Sequence, residues 1–460
     1  VVLPDNDQPG KQHAEQVARS LYGVAATVRI LLLPGLPPKG DVSDWLAAGH
    51  TAEELRTLAD HARPWHPASR EGMPEEGYIG TAADFAELYA HHTEAPRSFL
   101  YITFLTYLGS LFAHRVTLHS ELRPSPRLYA VCLGPSADGR KSSALDHTDR
   151  FYRDTIANFG DHVHYGLGSA EGLARRLGRD EDTKQVRPLI VHLDELRVLV
   201  DKARPEGSII LPMLATLFER HMFDNTTKTH TITVRDGYVS LVAACTAETY
   251  AAIWTPAFLD IGFTNRLWLV AGGSERRIAL PQPVPDYHRQ AIKSDLGDLL
   301  ARVDRAAGSG HLTLRLDEEA AQVWDAWYQA MPRTIHSRRL DTYGWRLMLL
   351  LSLSRGDLEA VSADTVHRVC ALLDHQLALR QEFDPVDAEN TIARVEEMIR
   401  RTLRAKGPLG KRDIRRFTNA DRYGTWLFTT ALDNVARAGD ARFDRATRRY
   451  ALTPQVSTDA

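Results

Sequence analysis

The chain has 460 residues, 43% hydrophobic and 25% charged, which is enough to bury more than one core and excludes a disordered or fibrous protein. Cys132, Cys245 and Cys370 stand far apart among apolar neighbours, which excludes a disulfide framework or a zinc spacing and points to a reducing, cytoplasmic setting. The formal charge of −3 argues against a nucleic-acid binder only as an average: residues 394–449 hold 15 Lys/Arg against 7 Asp/Glu, and the other 404 residues carry −11.

The chain is expected to begin in mid-structure, with neither an initiator Met nor a leader. Val1–Leu3 reads as the end of a buried strand, residues 11–21 as a helix spaced by Ala14, Val17, Ala18 and Leu21, and residues 27–33 as a second strand. Together they form a β-α-β unit of a parallel sheet. Asp5 and Asp7 lie one residue apart at a strand's C-terminal end, where an open α/β sheet keeps its site. Hard oxygen ligands there suit Mg²⁺, and the same pair reads equally as a helix cap. Proline, glycine and charge without apolar periodicity mark a linker at 67–80, after a first domain at 1–66. The longest uncharged stretch, Phe99–Ala113, is too short to span a membrane and reads as a buried core helix.

The strongest signal follows. Leu128–Leu133 is a short apolar run, as a strand buried on both faces should be. It leads directly into Gly134-Pro135-Ser136-Ala137-Asp138-Gly139-Arg140-Lys141-Ser142-Ser143 and a helix running to about Phe159. Strand, glycine loop and helix form the context of a phosphate-binding loop. Backbone N–H groups cradle the phosphates of ATP, Lys141 reaches the β and γ oxygens, and Ser142 or Ser143 holds Mg²⁺. Arg140 intervenes between the second glycine and the lysine. A second buried strand, Pro188–Leu193, ends in Asp194-Glu195, where the aspartate would coordinate Mg²⁺ and a glutamate would polarise the attacking water. Glu171, just past a strand at His162–Tyr165, is the first choice for that base and Glu195 the second. A third strand, Val239–Ala244, leads to Thr246, which reads as a γ-phosphate sensor or as an N-cap. Before a fourth strand, Leu267–Val270, Arg266 reads as an arginine finger reaching a neighbouring subunit, or as a plain salt bridge.

These motifs carry a resemblance. Asp5-Asn6-Asp7 with Pro9-Gly10, Gly40-Asp41 and Asp44-Trp45 resembles the second half of a TOPRIM domain of phage and mobile-element primases. That resemblance implies Asp5 and Asp7 as metal residues. The family's glutamate strand would precede Val1, so primase chemistry is not expected of this fragment alone. The loop at 134–143 with its Arg-Lys pair, Ser169–Leu173, Leu193-Asp194-Glu195, and Gly262-Phe263 with Asn265–Trp268 resemble the helicase-like ATPase of phage and mobile-element primase-helicases. This second resemblance covers about 81–285. It implies a RecA-like P-loop NTPase, a homo-oligomeric ring with an arginine finger in trans, and single-stranded or forked DNA as partner.

Asp317 is placed to cap a helix bearing Ala320, Val323, Trp324, Trp327 and Tyr328, and Tyr343–Leu353 reads as a buried helix, so 311–385 is expected to be a helical subdomain. Helices through Ala405, at Lys411–Phe417 and at Thr425–Ala438, then a hairpin at Ala441–Leu452, describe a winged helix at 391–454. Lys411, Arg412, Arg415, Arg416 and Arg422 flank its turn, and Arg442, Arg445, Arg448 and Arg449 decorate its wing, where phosphates would be met. The expected fold is therefore α/β: a RecA-like core, a partial TOPRIM unit in front, and an α-helical plus winged-helix C-terminal region. Two functional readings follow. One is an ATP-driven DNA helicase portion of a primase-helicase; the other is a nucleotide-switched DNA-binding loader or replication regulator without unwinding activity.

Overall fold

The computed structural model describes residues 1–7, 10, 13–14, 17, 29–37, 39–61, 72–136, 139–179, 185–205, 207–227, 231–254, 258, 261–274, 276–385, 391–420, 424–444 and 447–453. The chain divides into one unit at Arg70–Pro385 and another made of the terminal segments Val1–Ser69 and Val386–Ala460.

In the N-terminal segment, Val2 and Ile30 form a parallel bridge, the described part of the expected β-α-β unit. Most of the helix expected at 11–21 and the start of the strand at 27–33 lie outside the described residues. Helix α1 (Val42–Ala47) opens on a reciprocal cap: the Asp41 carboxylate accepts from the Ser43 and Asp44 N–H groups, and Asp44 accepts from the Asp41 N–H. Trp45 on α1 is buried beside Leu31 and Leu33, and α2 (Ala52–His61) adds Leu55 and Leu58.

The larger unit starts with α3 (Gly80–His92) and α4 (Arg97–Phe112), of which 14 of 16 residues are buried, as the uncharged stretch predicts. Among the described residues no helix is long and apolar enough to cross a membrane. There follow β1 (Val116–Leu118), β2 (Tyr129–Leu133), α5 (Lys141–Thr155), β3 (Val163–Tyr165), α6 (Ala170–Arg176) and β4 (Leu189–Leu193). The chain continues through α7 (Leu196–Ala203), α8 (Ile210–Glu219), the antiparallel hairpin β5 (Phe223–Thr226) and β6 (Thr231–Val234), β7 (Val239–Cys245), α9 (Ala247–Ile253) and β8 (Trp268–Ala271). Five strands form one parallel sheet in the order β8-β2-β7-β4-β3. Counted along the chain within that sheet, the order is fifth, first, fourth, third, second. Parallel neighbours cannot be joined by tight turns, so helices carry every crossing. Strands β2, β4, β7 and β8 are buried throughout, which is why they read as apolar runs without alternation; only the edge strand β3 emerges, at Tyr165.

Two expected boundaries do not hold. Residues 72–80 are packed rather than linking: Met73 is buried, the Gly72 N–H bonds the Ala271 carbonyl, and the Tyr101 hydroxyl donates to the Gly77 carbonyl. The rest of the expected linker, 67–71, lies outside the described residues. Segment 311–385 is not a separate body either. It contributes α11 (Glu318–Ala330), capped by Asp317 as expected, α12 (Leu340–Arg355) and α13 (Ala363–Phe383), preceded by α10 (Asp286–Ala307). All of these share one hydrophobic core with the five-stranded sheet. Strands β9 (Leu312–Leu316) and β10 (Ala360–Val361) complete a second parallel sheet on β1, in the order β1-β9-β10. Arg380, fully buried, donates to the carbonyls of Arg338, Asn265 and Leu267 and so ties α13 to the start of β8. Gly80 (φ +63°) lies so close to α12 that a Cβ there would stand 2.0 Å from the Ser354 carbonyl oxygen.

The C-terminal segment holds α14 (Thr391–Lys406), α15 (Lys411–Phe417), α16 (Thr425–Arg437) and the antiparallel pair β11 (Ala441–Asp444) and β12 (Arg449–Leu452). Val395, Ile399 and Leu403 of α14 recur at intervals of four and meet Ile414, Phe428, Leu432 and Val435 in a core of their own. Leu409 pairs with Tyr450, adding a third extended piece to the hairpin.

Candidate functional site

The carboxyl ends of β2, β7 and β4 bring Gly134, Cys245 and Asp194-Glu195 to one end of the sheet, around a shallow polar opening between the segments that follow them. The chain leaves β2 at Gly134, whose N–H donates to the Cys245 carbonyl of β7, and turns back so that Gly139 lies against Pro135. A Cβ on Gly134 would meet the Gly272 carbonyl oxygen at 2.5 Å and one on Gly139 the Pro135 carbonyl oxygen at 2.5 Å, so both positions need glycine. Ala137 and Asp138, at the loop's tip, lie outside the described residues. Helix α5 begins at Lys141 with no side-chain cap, which leaves its first N–H groups open towards the loop. The Lys141 ammonium folds back over the turn and donates to the carbonyls of Gly134 (2.9 Å) and Pro135 (2.6 Å). Burial lowers its pKa, and the Glu195 carboxylate opposes that shift. Ser136 and Ser142 are exposed and Ser143 is half-buried. Arg140 takes a left-handed conformation (φ 47°), and its guanidinium is held by Glu94 at 2.5 Å rather than turned over the loop.

Across the opening, β4 delivers Asp194 and Glu195. The Glu195 carboxylate faces Cys245, whose thiol is pushed up by burial and then by that charge, while Glu195 Oε1 is buried without a hydrogen-bond partner. Glu171 sits elsewhere. It is exposed in the first turn of α6, behind the Ser169 N-cap and beyond the edge strand β3, and the acidic groups that act most on Lys141 are Glu195 and Glu248. Of the two glutamates, Glu195 is the one whose charge acts on Lys141. Thr246 follows β7, the neighbour of β2, but its hydroxyl caps α9 by accepting from the Thr249 N–H at 3.1 Å, the plainer of its two readings. The chain matches no protein-family model and no curated protein.

Other expected residues lie away from this opening. Arg266 precedes β8, and the register of β8 on β2 sets it at the amino ends of the strands, roughly 20 Å along the sheet from the loop. Its side chain is buried, donates to the carbonyls of Ile261 and Gly262, and approaches Glu219 at 3.4 Å. Within one chain those bonds fit the plainer of its two readings, a salt-bridged structural arginine. Asp7 accepts from the Gly10 N–H at 2.7 Å, as a cap does, and Asp5 is exposed. Neither joins a metal-competent cluster among the described residues.

The polar residue that sequence reasoning passes over is His192. Inside the apolar strand β4 it is 2% exposed, and burial lowers its pKa. Its Nδ1 lies 2.8 Å from the Tyr107 hydroxyl, and its Nε2 faces Asp146 and Asp194. A histidine interrupting a run of Leu, Ile and Val is the signal that marks it. In the C-terminal segment, Lys411, Arg412, Arg416, Arg442, Arg448 and Arg449 are exposed, together with Trp426 at the start of α16. Arg422 and Arg445 lie outside the described residues.

Proposed function

We propose that this chain is the ATP-hydrolysing helicase portion of a phage or mobile-element primase-helicase, acting on single-stranded or forked DNA in the cytoplasm. The observation that carries the reading is the opening where Lys141 and Glu195 meet. It lies at the carboxyl end of a parallel sheet in the order fifth, first, fourth, third, second, with the glycine turn directly after the first strand. That order and that placement are those of RecA-like motors. ATP fits the site because the uncapped α5 N-terminus and the two obligatory glycines form a cradle, and because Glu195 Oε1 has no partner. Lys141 and the loop N–H groups would hold the phosphates, and Ser142 or Ser143 with Asp194 would hold Mg²⁺, which would supply charge neutralisation. Glu195 takes the role of the water-orienting base. The three helices and hairpin at 391–453 support a winged helix whose exposed arginines would meet DNA phosphates. The N-terminal segment is assigned to a TOPRIM remnant, with Asp5 and Asp7 as its metal residues, on its motif resemblance and the Val2–Ile30 bridge.

The test is ATP hydrolysis and strand displacement on forked DNA, compared between wild type and Lys141→Ala. The proposal requires DNA-stimulated hydrolysis and displacement, both lost in the folded variant. Undiminished hydrolysis in the variant removes the ATPase reading. Hydrolysis with nucleotide-dependent DNA binding and no displacement assigns the chain to the loader reading.

A further inference from the structure

We infer that Asp146, His192 and Asp194 form a binding site for a divalent first-row transition ion of the zinc class, beside the phosphate loop. One ligand atom from each residue lies within 4.8 Å of the other two. Ligands at about 2.0–2.2 Å from a common ion stand somewhat closer together than that, so small side-chain rotations suffice. Asp146 comes from α5, His192 and Asp194 from β4 and its end, so both elements that carry the set are rigid.

The decisive group is the imidazole. His192 is 2% exposed, and its Nδ1 is 2.8 Å from the Tyr107 oxygen. The Tyr107 hydroxyl also lies 3.3 Å from Asp149 Oδ1, and Asp149 Oδ2 takes the Tyr165 hydroxyl at 2.6 Å and Arg153 Nε at 2.7 Å. A metal at Nε2 requires the tautomer in which Tyr107 donates to Asp149, Nδ1 donates to the Tyr107 oxygen and Nε2 presents a lone pair. Nε2 then faces two carboxylates, stopping 3.6 Å from Asp194 Oδ1, beyond hydrogen-bond reach. Three acceptors facing one another across a gap are complementary to a cation. Among the described residues, neither Asp146 nor Asp194 pairs with a lysine or arginine. An imidazole whose second nitrogen is fixed by an outer partner is the usual orientation of a metal-binding histidine. Both aspartates are exposed, which leaves a route in and open positions for water. One nitrogen with two carboxylate oxygens favours Zn²⁺ or Mn²⁺ over Mg²⁺, because imidazole is a borderline ligand that magnesium seldom takes.

The inference stands whether or not the chain hydrolyses ATP, and its test uses no nucleotide. Chelator-treated full-length protein is titrated calorimetrically with Zn²⁺ and, separately, with Mg²⁺. Zn²⁺ is expected to bind on the order of 100-fold more tightly than Mg²⁺. Asp146→Asn, an exposed change that leaves the core untouched, should weaken Zn²⁺ at least about 10-fold, and His192→Gln should do so as well. Tyr107→Phe, which frees the imidazole while keeping every ligand, should cost about 10-fold. Zn²⁺ affinity unchanged in Asp146→Asn, or no tighter than Mg²⁺ in the wild type, overturns the site, even where His192→Gln fails to fold.

Discussion

At the amino end of the five-stranded sheet buried arginines donate to backbone carbonyls, whereas at the carboxyl end the acidic side chains that follow the strands reach solvent. Arg346 donates to the carbonyls of Arg127 and Phe218, Arg127 to that of Leu217, Arg266 to those of Ile261 and Gly262, and Arg380 to three more. At the opposite end α5 starts uncapped, Glu195 Oε1 is buried and unbonded, and the Asp194 side chain is 74% exposed. Burying a charge costs several kcal/mol unless hydrogen bonds offset it. Charge alone therefore does not mark a site in this molecule. What separates the ends is what the charges face: backbone carbonyls at the amino end, solvent and an uncapped helix start at the carboxyl end.

Substitutions should divide along the same line. Lys141→Ala is expected to lower ATP hydrolysis by roughly 1000-fold while the protein stays folded, the only bonds lost in the free chain being those to the Gly134 and Pro135 carbonyls. Arg346→Met should do the reverse, destabilising by roughly 3 kcal/mol in denaturant titration by stranding two buried carbonyls. Hydrolysis per folded molecule should persist. Glu195→Gln should slow turnover about 100-fold while leaving nucleotide binding intact, and Glu171→Gln should be close to wild type. The opposite ranking would return the base to α6 and break the assignment of the opening. Mixing Arg266→Ala subunits with Lys141→Ala subunits should give no rescue of hydrolysis; any rescue would make Arg266 act across an interface despite its buried bonds. The smallest effect concerns DNA. Arg412→Ala should reduce the slope of log affinity against log salt by about one, as the loss of a single phosphate contact does.

How far the sequence announces this structure depends on whether a feature is local. Strands β2, β4, β7 and β8 are legible because both faces are buried and the runs contain no alternation. Helices α14 to α16 are legible because amphipathic spacing is punctuated by Gly407-Pro408 and Gly439. Helix α10 also carries a readable stripe, Ile292, Leu296, Leu299 and Val303, behind a cluster of prolines that reads as a hinge. The sheet β1-β9-β10 is not legible: its strands span three, five and two residues, too few for a period, and they pair across distant segments. The preference for Glu195 over Glu171 likewise needs coordinates, since both glutamates follow a strand and only packing shows which one faces Lys141. Asp146 and His192 are 46 positions apart, and nothing short of the fold brings them together.

The stitching of α3 to the far end of its unit bears on how the chain is made. Ser354 bonds both the Ala82 N–H and the Ile79 carbonyl, Arg368 bonds the Glu76 carbonyl, and His375 bonds that of Gly72, over separations of 272 to 303 residues. During synthesis the earliest helices of this unit therefore wait for residue 375 to leave the ribosome before their surface is covered. At about 5–20 residues per second that wait lasts on the order of tens of seconds. Nascent chains stalled near residue 285 should accordingly hold the phosphate loop but expose the apolar face of α3 and α4, and so bind chaperones where the finished protein does not.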